Sequence, residues 1–243
     1  MEFKLSQDES APVEIPAAQH PRIRFFGVDR KASSYPLDDV TSKAWLICAP
    51  EAAGEFSAVA CFFARDLQKD ADVPIGVIDT SWGGAPLAAF TGMNAISKDA
   101  GLMPVFAQWG RMMENEGTTL LNIEKENRDF ANSAARAKLQ GKPEPRKTWH
   151  SDPASWAPAA IYNGMIAPVT RYAIRGVIWY QGESDADGER APVYPNLFKM
   201  MITSWRETWG VGDFPFLYVQ LPNWIASPGN AWPELRRSGR PWL

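Results

Sequence analysis

Two adjacent glycines follow an apolar run and could supply hydrogen-bond donors to a substrate. GVIDTSWGGAPLAAF (76–90) passes from apolar residues through Asp79 and Ser81 to Gly83 and Gly84. Because a glycine turn brings backbone N–H groups close to a ligand, it could bind a phosphate or a developing oxyanion. The turn does not follow the GxGxxG, Walker or GxSxG patterns, which disfavours a nucleotide site and a nucleophile elbow at Ser81. A strand–helix turn without any chemistry fits this motif equally well.

A second apolar run ends in polar groups that could face the same crevice. IRGVIWYQGESDADGE (174–189) ends in Gln181, Glu183 and Asp185. Alternate residues of a strand share a face, so Gln181 and Glu183 could both reach the crevice. A glutamine amide can donate to an oxyanion, and a glutamate can orient or accept a proton. Taken alone, this segment is more typical of a solvated acidic loop over 183–189.

Strands and helices alternate around these stretches. The apolar spacing in 56–67 predicts an amphipathic helix, followed by a strand at VPIGVIDT and by a second helix after the glycines. YPNLFKMMITSWRETWG is expected to be helical, and FPFLYVQLPNW is a third apolar run. Short strands are expected at 23–28 and 43–49. This alternation predicts an α/β fold with a parallel sheet, and a site outside the carboxyl ends of its strands, at 79–84, 181–185 and 220–223.

The stretch 111–147 is charged and prone to form helix. Glu124 and Arg128 stand at a favourable i, i+4 spacing, so an exposed helical excursion is expected near 111–150.

Composition excludes several classes of function. The chain has 243 residues and a net charge of −3, without a long basic block, so binding to nucleic acid has no electrostatic support. No apolar segment is long enough to predict a membrane span. With only two histidines, a histidine-rich metal centre is not expected. Cys48 and Cys61 are expected to be buried thiols, and a disulfide between them is left open.

Together the motifs resemble the SGNH-type carbohydrate esterases, in particular the sialate O-acetylesterase branch. The resemblance rests on APEAAGEFSAVACFFARDL, VPIGVIDTSWGGAPLAAF, IYNGMIAPVTRYAIRGVIWYQGESDAD, FPFLYVQLPNW and WPELR, and spans about residues 1–236. It implies one three-layer, flavodoxin-like α/β domain over 1–243, with helices flanking a parallel sheet that is incomplete at both ends. It also implies hydrolysis of O-acetyl esters of sialic acid or related sugars by serine acyl-enzyme chemistry.

The resemblance assigns roles to particular residues. Gly83 or Gly84 would supply an oxyanion N–H, with support from Gln181 or Glu183. The residues expected to contact an acetylated sugar are Ser81, Trp82, Asn163, Gly182 and Gln220. No metal or organic cofactor is implied. A periplasmic or secreted location is expected if a signal peptide lies upstream, and the oligomeric state is left open.

The nucleophile and the base of the resembled family have no counterpart in the sequence. In that family a GQSN-like motif directly precedes MEF-like residues, and a late Asp-x-x-His supplies the base and its orienting acid. The sequence begins with MEF and ends in RSGRPWL, and neither His20 nor His150 matches the position of the base. The sequence is therefore expected to be a fragment with the oxyanion half of the site and weak or no activity.

Two alternatives stay open at this point. In the first, Ser81 is the nucleophile, with His150 and Asp152 as its partners. In the second, the chain is a non-catalytic carbohydrate-binding protein in which Trp82 and Trp224 stack on sugar rings.

Overall fold

The strands within the described residues form two small sheets. The computed structural model describes residues 2–42, 44–148, 150–224 and 231–238. One sheet has the order β2-β1-β3 and the other pairs β4 with β5. The strands are β1 (His20–Gly27), β2 (Leu46–Cys48), β3 (Ile75–Asp79), β4 (Val177–Trp179) and β5 (Phe216–Tyr218).

Within each sheet, parallel pairing places the carboxyl ends of two predicted strands side by side. β1 runs parallel to β3, with Gly27 opposite Asp79, and β4 runs parallel to β5, with Trp179 opposite Tyr218. β2 differs because it pairs with β1 in the antiparallel sense. The α/β fold and its parallel strand pairs are thus confirmed, with one antiparallel strand at the edge of the first sheet.

Helices surround these sheets. The α-helices are α1 (Ala11–Ala17), α2 (Pro50–Ala53), α3 (Ala58–Ala71), α4 (Met93–Ile96), α5 (Met103–Glu114), α6 (Glu116–Leu139), α7 (Tyr194–Trp209) and α8 (Trp232–Ser238). α3 begins after Ser57, whose hydroxyl accepts a hydrogen bond from the Ala60 N–H, as N-cap serines commonly do. α7 ends at Gly210, which adopts the left-handed conformation that favours glycine at this position. None of the helices in the described ranges combines the length and the apolar composition that a membrane crossing requires.

The helix expected directly after the glycine turn is instead a short 3₁₀ turn at Leu87–Phe90, followed by α4. All four residues of the 3₁₀ turn are buried, so this apolar run lacks the polar face of a surface helix. Gly92, which is not helical, then precedes the first residue of α4. The α-helix expected after the glycines thus begins only at Met93, because the preceding run is buried on every side.

The charged stretch forms the predicted excursion. α5 and α6 are helical, and none of the 24 residues of α6 is buried. Residues 142–148 then run back toward the domain without helix or strand.

Two apolar clusters hold the fold together. The larger one surrounds Trp179 on β4, whose ring centroid lies 6.0 Å from that of Trp205 and 5.3 Å from that of Phe90. The smaller cluster contains Phe25 stacked on Phe56, and both cysteines as free, buried thiols. A hydrogen bond with Cys48, together with burial, raises the pKa of the Cys61 thiol. The two thiols therefore belong to the core, as expected.

Candidate functional site

The polar residues after β3 form a turn that is fixed from its own strand end. The carboxylate of Asp79 accepts hydrogen bonds from the backbone N–H of Ser81, at 2.9 Å, and from the Ser81 hydroxyl. This local pattern is the one that Asp commonly makes two residues ahead in a turn. Ser81 therefore caps the strand end, and its hydroxyl is already engaged.

The next part of the turn binds an anionic oxygen. The backbone N–H of Gly83 donates to Oε2 of Glu2 at 2.6 Å. The other oxygen of the same carboxylate, Oε1, lies 2.6 Å from Nη2 of Arg30. The Arg30 guanidinium lies 5.8 Å from the ring centroid of Trp82, which is itself largely buried in the core. One backbone donor and one guanidinium thus converge on a single carboxylate, as in charge-assisted anion binding.

A cavity of about 250 Å³ opens beside this turn. One side is formed by Glu2, Arg30, Trp82 and Gly83. The other side comes from α6, through Leu120 and Ile123, and from the returning segment 150–153. The cavity therefore combines backbone and charged donors with an apolar wall, a composition typical of small-molecule sites.

His150 and Asp152 line this cavity, whereas Ser81 does not belong to its lining. The Nε2 atom of His150 lies 2.7 Å from Oε2 of Glu126 on α6. The Asp152 carboxylate accepts a hydrogen bond from the Ala154 N–H and caps a short 3₁₀ turn. Ser81, His150 and Asp152 thus form hydrogen bonds with Asp79, Glu126 and Ala154 respectively. These bonds do not link the three residues to one another.

Gln181 lies behind the glycine turn. Its amide nitrogen donates to the carbonyl oxygen of Ala85 at 3.1 Å and to Oδ2 of Asp185 at 2.5 Å. Its amide oxygen accepts from the Tyr194 hydroxyl at 3.2 Å. A glutamine amide has only two N–H groups, so both donors of Gln181 are used inside the protein.

Gly84 has a φ of +80°, which favours glycine, and its carbonyl oxygen accepts from the Ser184 hydroxyl at 2.8 Å. Gly182 has a φ of +146° and lies against the core, where an added Cβ would be 2.9 Å from Cδ2 of Leu235. Glu183 is exposed at the start of a 3₁₀ turn, Glu183–Asp185. The structure thus brings the glycine turn and the 181–185 segment together, with Glu183 directed to solvent.

The two remaining predicted residues make contacts in other parts of the fold. The buried Asn163 donates to the carbonyl oxygen of Ser33 at 3.1 Å, and its own carbonyl oxygen accepts from the Leu37 N–H. Gln220 donates to the carbonyl oxygen of Arg236 at 2.9 Å. Asn163 therefore holds the loop around 33–37, and Gln220 ties the segment after β5 to α8.

Sequence reasoning missed two residues of this region, Glu2 and Arg30, and assigned no role to a third, Asp185. Asp185 is only 2% exposed, and its carboxylate accepts a hydrogen bond of 2.8 Å from the Leu87 N–H. Burial raises the pKa of the Asp185 carboxyl to about 6, partly offset by the nearby Arg190. Glu2 and Arg30 were missed because contacts across 28 or 81 positions leave no local pattern. The sequence signal for Asp185 was its place in the same polar segment as Gln181, four residues earlier, whose amide donates to it.

Among the described residues, no group of three or more His, Cys, Asp or Glu side chains is arranged to hold a metal ion.

A family model and several known proteins are similar to this chain. A family model described as carbohydrate esterase, sialic acid-specific acetylesterase, matches residues 147–239. The sialate O-acetylesterase of Mus musculus is 28% identical over 97% of this chain and 44% of its own length. The corresponding enzyme of Homo sapiens is 29% identical over 74% of this chain and 28% of its own length.

A crystal structure of a carbohydrate acetylesterase from Xanthomonas citri matches 98% of this chain with a TM-score of 0.71 and 28% sequence identity. The match covers 44% of that chain, so the present chain spans less than half the length of these relatives. The fold, the family model and the relatives agree with one another. In sequence and in fold the chain is thus similar to carbohydrate esterases of the sialate O-acetylesterase type.

Proposed function

We propose that this chain carries the part of a carbohydrate O-acetylesterase site that binds the carbonyl oxygen of the acetyl ester. The Gly83 N–H is the donor in this proposal. The observation that carries it is the 2.6 Å hydrogen bond from this N–H to a carboxylate oxygen, beside a cavity of about 250 Å³. This contact supports the proposal because the oxygen that the Gly83 N–H binds belongs to a carboxylate, which carries negative charge.

Ester hydrolysis develops this kind of charge. When a nucleophile attacks the acetyl carbon, the carbonyl oxygen becomes an oxyanion, and a fixed donor at hydrogen-bond distance stabilises it. Backbone donors are effective because they need no rearrangement during the reaction. In the proposed reaction a serine other than Ser81 attacks the acetyl carbon, the sugar hydroxyl leaves with the proton of the serine, and water then cleaves the acyl-enzyme to release acetate and restore the serine hydroxyl.

Ser81 is not the nucleophile in this proposal. Its hydroxyl donates to Asp79, and it does not belong to the lining of the cavity. Its contacts support a role in shaping the turn that presents Gly83.

The proposed substrate is an O-acetylated sialic acid or a related sugar, since the relatives are named for sialate. The cavity offers Arg30 as a cation and Leu120 and Ile123 as an apolar wall. Its volume is below the range of about 300–1,000 Å³ that is common for small-molecule sites, which suits a single sugar residue with its acetyl group.

Two measurements on the chain and on its Gly83→Ala variant test the proposal. We expect O-acetylated sialic acid to shift the amide NMR signal of Gly83 more than unacetylated sialic acid does. We also expect acetate release to fall about 10- to 100-fold in Gly83→Ala, because an ester oxygen bound where Oε2 of Glu2 now lies would be only 2.7 Å from the added Cβ. Gly188→Ala is the control, since an added Cβ there meets nothing within 4 Å.

Equal acetate release by Gly83→Ala and the unmodified chain would contradict the role of Gly83. Equal affinity for acetylated and unacetylated sialic acid, without acetate release, would favour the carbohydrate-binding alternative instead.

A further inference from the structure

We propose that Ser184 and Asp185 are positioning residues that, together with Gln181, hold the glycine turn in the shape that presents the Gly83 N–H. This inference rests on the proposed function, because it assigns a role within the same site. Three side chains of the 181–185 segment bind three backbone groups of the turn within four residues, and we refer to these three contacts as the turn clamp.

The contacts of the turn clamp follow one another along the turn. The Ser184 hydroxyl donates to the carbonyl oxygen of Gly84 at 2.8 Å. The Gln181 amide donates to the next carbonyl oxygen, that of Ala85, at 3.1 Å. The Asp185 carboxylate accepts from the Leu87 N–H at 2.8 Å. Carbonyl and N–H groups are thus held in sequence, which fixes the orientation of the peptide planes between Gly84 and Leu87.

The glycine part of the turn needs such support because the local hydrogen bond across it is long, whereas Asp79 fixes only the strand end at Ser81. Residues 80–86 lie between β3 and the Leu87–Phe90 turn without helix or strand. The hydrogen bond across the glycines runs from the Ala85 N–H to the Trp82 carbonyl oxygen and is 3.4 Å long. Bonds of this length contribute less than those near 2.9 Å, so this bond alone does not fix the peptide planes after the glycines.

The turn clamp is itself held rigidly from behind. The Asp185 N–H donates to the Gly182 carbonyl oxygen at 2.9 Å, closing the 3₁₀ turn that carries Ser184. Tyr194, at the start of α7, donates to the Gln181 side chain. Gly182 lies against Leu235, where no side chain would fit without displacement. These contacts therefore fix the turn clamp, and with it the glycine turn, relative to β4 and α7.

Burial strengthens the contact made by Asp185. Its carboxylate and the Leu87 side chain are both almost completely buried, so the hydrogen bond is shielded from water. A carboxylate that accepts a backbone N–H in such surroundings makes a stronger contact than a neutral acceptor. Asp185 thereby anchors the far end of the turn, and Ser184 anchors its glycine end.

The test uses Ser184, because its half-buried position allows a substitution that leaves the core intact. We expect Ser184→Ala to raise amide hydrogen exchange at Gly83–Leu87 by about fivefold or more, with exchange in β3 and α7 unchanged. We expect the same variant to lower kcat for acetate release about 10-fold with KM nearly unchanged, since a displaced donor is felt mainly in the transition state. Ser184→Thr, which keeps the hydroxyl, should restore both values.

Ser204→Ala is the matched control. Its half-buried hydroxyl also donates to a backbone carbonyl, that of Met201, but within α7 and away from the turn. We expect this variant to match the unmodified chain in both measurements. Unchanged exchange at Gly83–Leu87 in Ser184→Ala would overturn the turn clamp, as would a Ser184→Thr variant that behaves like Ser184→Ala.

The exchange measurement keeps this proposal separate from the proposed function. If O-acetylated sialic acid leaves the Gly83 amide signal unchanged, the proposed function fails in this chain, yet exchange at Gly83–Leu87 still shows whether Ser184 holds the turn.

Discussion

The backbone N–H of Gly83 donates a 2.6 Å hydrogen bond to Oε2 of Glu2, although the two residues lie 81 positions apart. The same carboxylate pairs with Arg30 through its other oxygen. A carboxylate therefore already occupies the donors that the proposed reaction would use, and any anionic ligand must compete with it.

Removing this carboxylate should free the donors. We expect Glu2→Ala to bind acetate several-fold more tightly than the unmodified chain, because the Gly83 N–H and Arg30 then lack their internal anion. Titration with sodium acetate, followed by the amide signal of Gly83, measures the change. Glu14→Ala is the control, since Glu14 forms a comparably exposed ion pair with Arg65 outside the cavity. Weaker acetate binding in Glu2→Ala would contradict the competition.

Ser81→Ala should affect stability more than activity. The hydroxyl of Ser81 donates to Asp79 at the end of β3, and its loss should lower the free energy of unfolding by about 1 kcal/mol. Acetate release should stay within about twofold, because the variant leaves the Gly83 N–H in place. Urea denaturation and acetate assays measure the two effects. A complete loss of acetate release in a folded variant would restore Ser81 as the nucleophile.

Asp185 should make stability depend on pH in a defined direction. Burial raises the pKa of its carboxyl from 3.8 to about 6 in the folded chain. The folded state therefore keeps this proton where the unfolded state has lost it, so the contribution to stability is full below about pH 4 and is lost as the pH rises through 6. At about 1.4 kcal/mol per tenfold change in proton affinity, the loss by pH 8 is about 2–3 kcal/mol.

Comparison with Asp185→Asn isolates this effect, since asparagine does not titrate. We expect the stability of the variant relative to the unmodified chain to increase by about 2–3 kcal/mol between pH 4 and pH 8, as measured by urea denaturation. Glu183→Gln, two residues away and exposed, serves as the control. A difference between Asp185→Asn and the unmodified chain that is constant with pH would show that the carboxyl titrates in its ordinary range.

Gly164→Ala should destabilise the fold. An added Cβ would lie 1.9 Å from the carbonyl oxygen of Lys31, so one of the two backbones must move. We expect a loss of about 2–3 kcal/mol, measured as a lower midpoint of denaturation. Gly110→Ala, on α5 with open space around it, should be neutral or stabilising by up to about 1 kcal/mol. Equal stability of the two variants would show that the loop around Lys31 yields easily.

The sequence predicted most of the helices and strands, because apolar residues that repeat at the helix or strand period indicate which face is buried. The alternating and amphipathic stretches that became β3, α3 and α7 were placed correctly, as was the helical excursion. The Leu87–Phe90 turn was not, because an apolar run without a polar face does not distinguish a short core turn from a helix.

The candidate site was harder to predict than the fold. Period-two alternation placed Gln181 and Glu183 on one face, but only the packed structure shows that Gln181 donates inward to Ala85. The glycine turn was found from its local pattern. Its contacts with Glu2 and Asp185 were not predicted, since contacts between distant segments depend on tertiary packing.

In the excursion formed by α6, residues that contact the cavity are not residues of the apolar core. α6 contributes Leu120 and Ile123 to the wall of the cavity, yet none of its residues is buried. Substitutions along this helix can therefore reshape the entrance for a ligand while leaving the apolar clusters intact. Ligand preference could diverge among relatives through this helix alone, at little risk to folding.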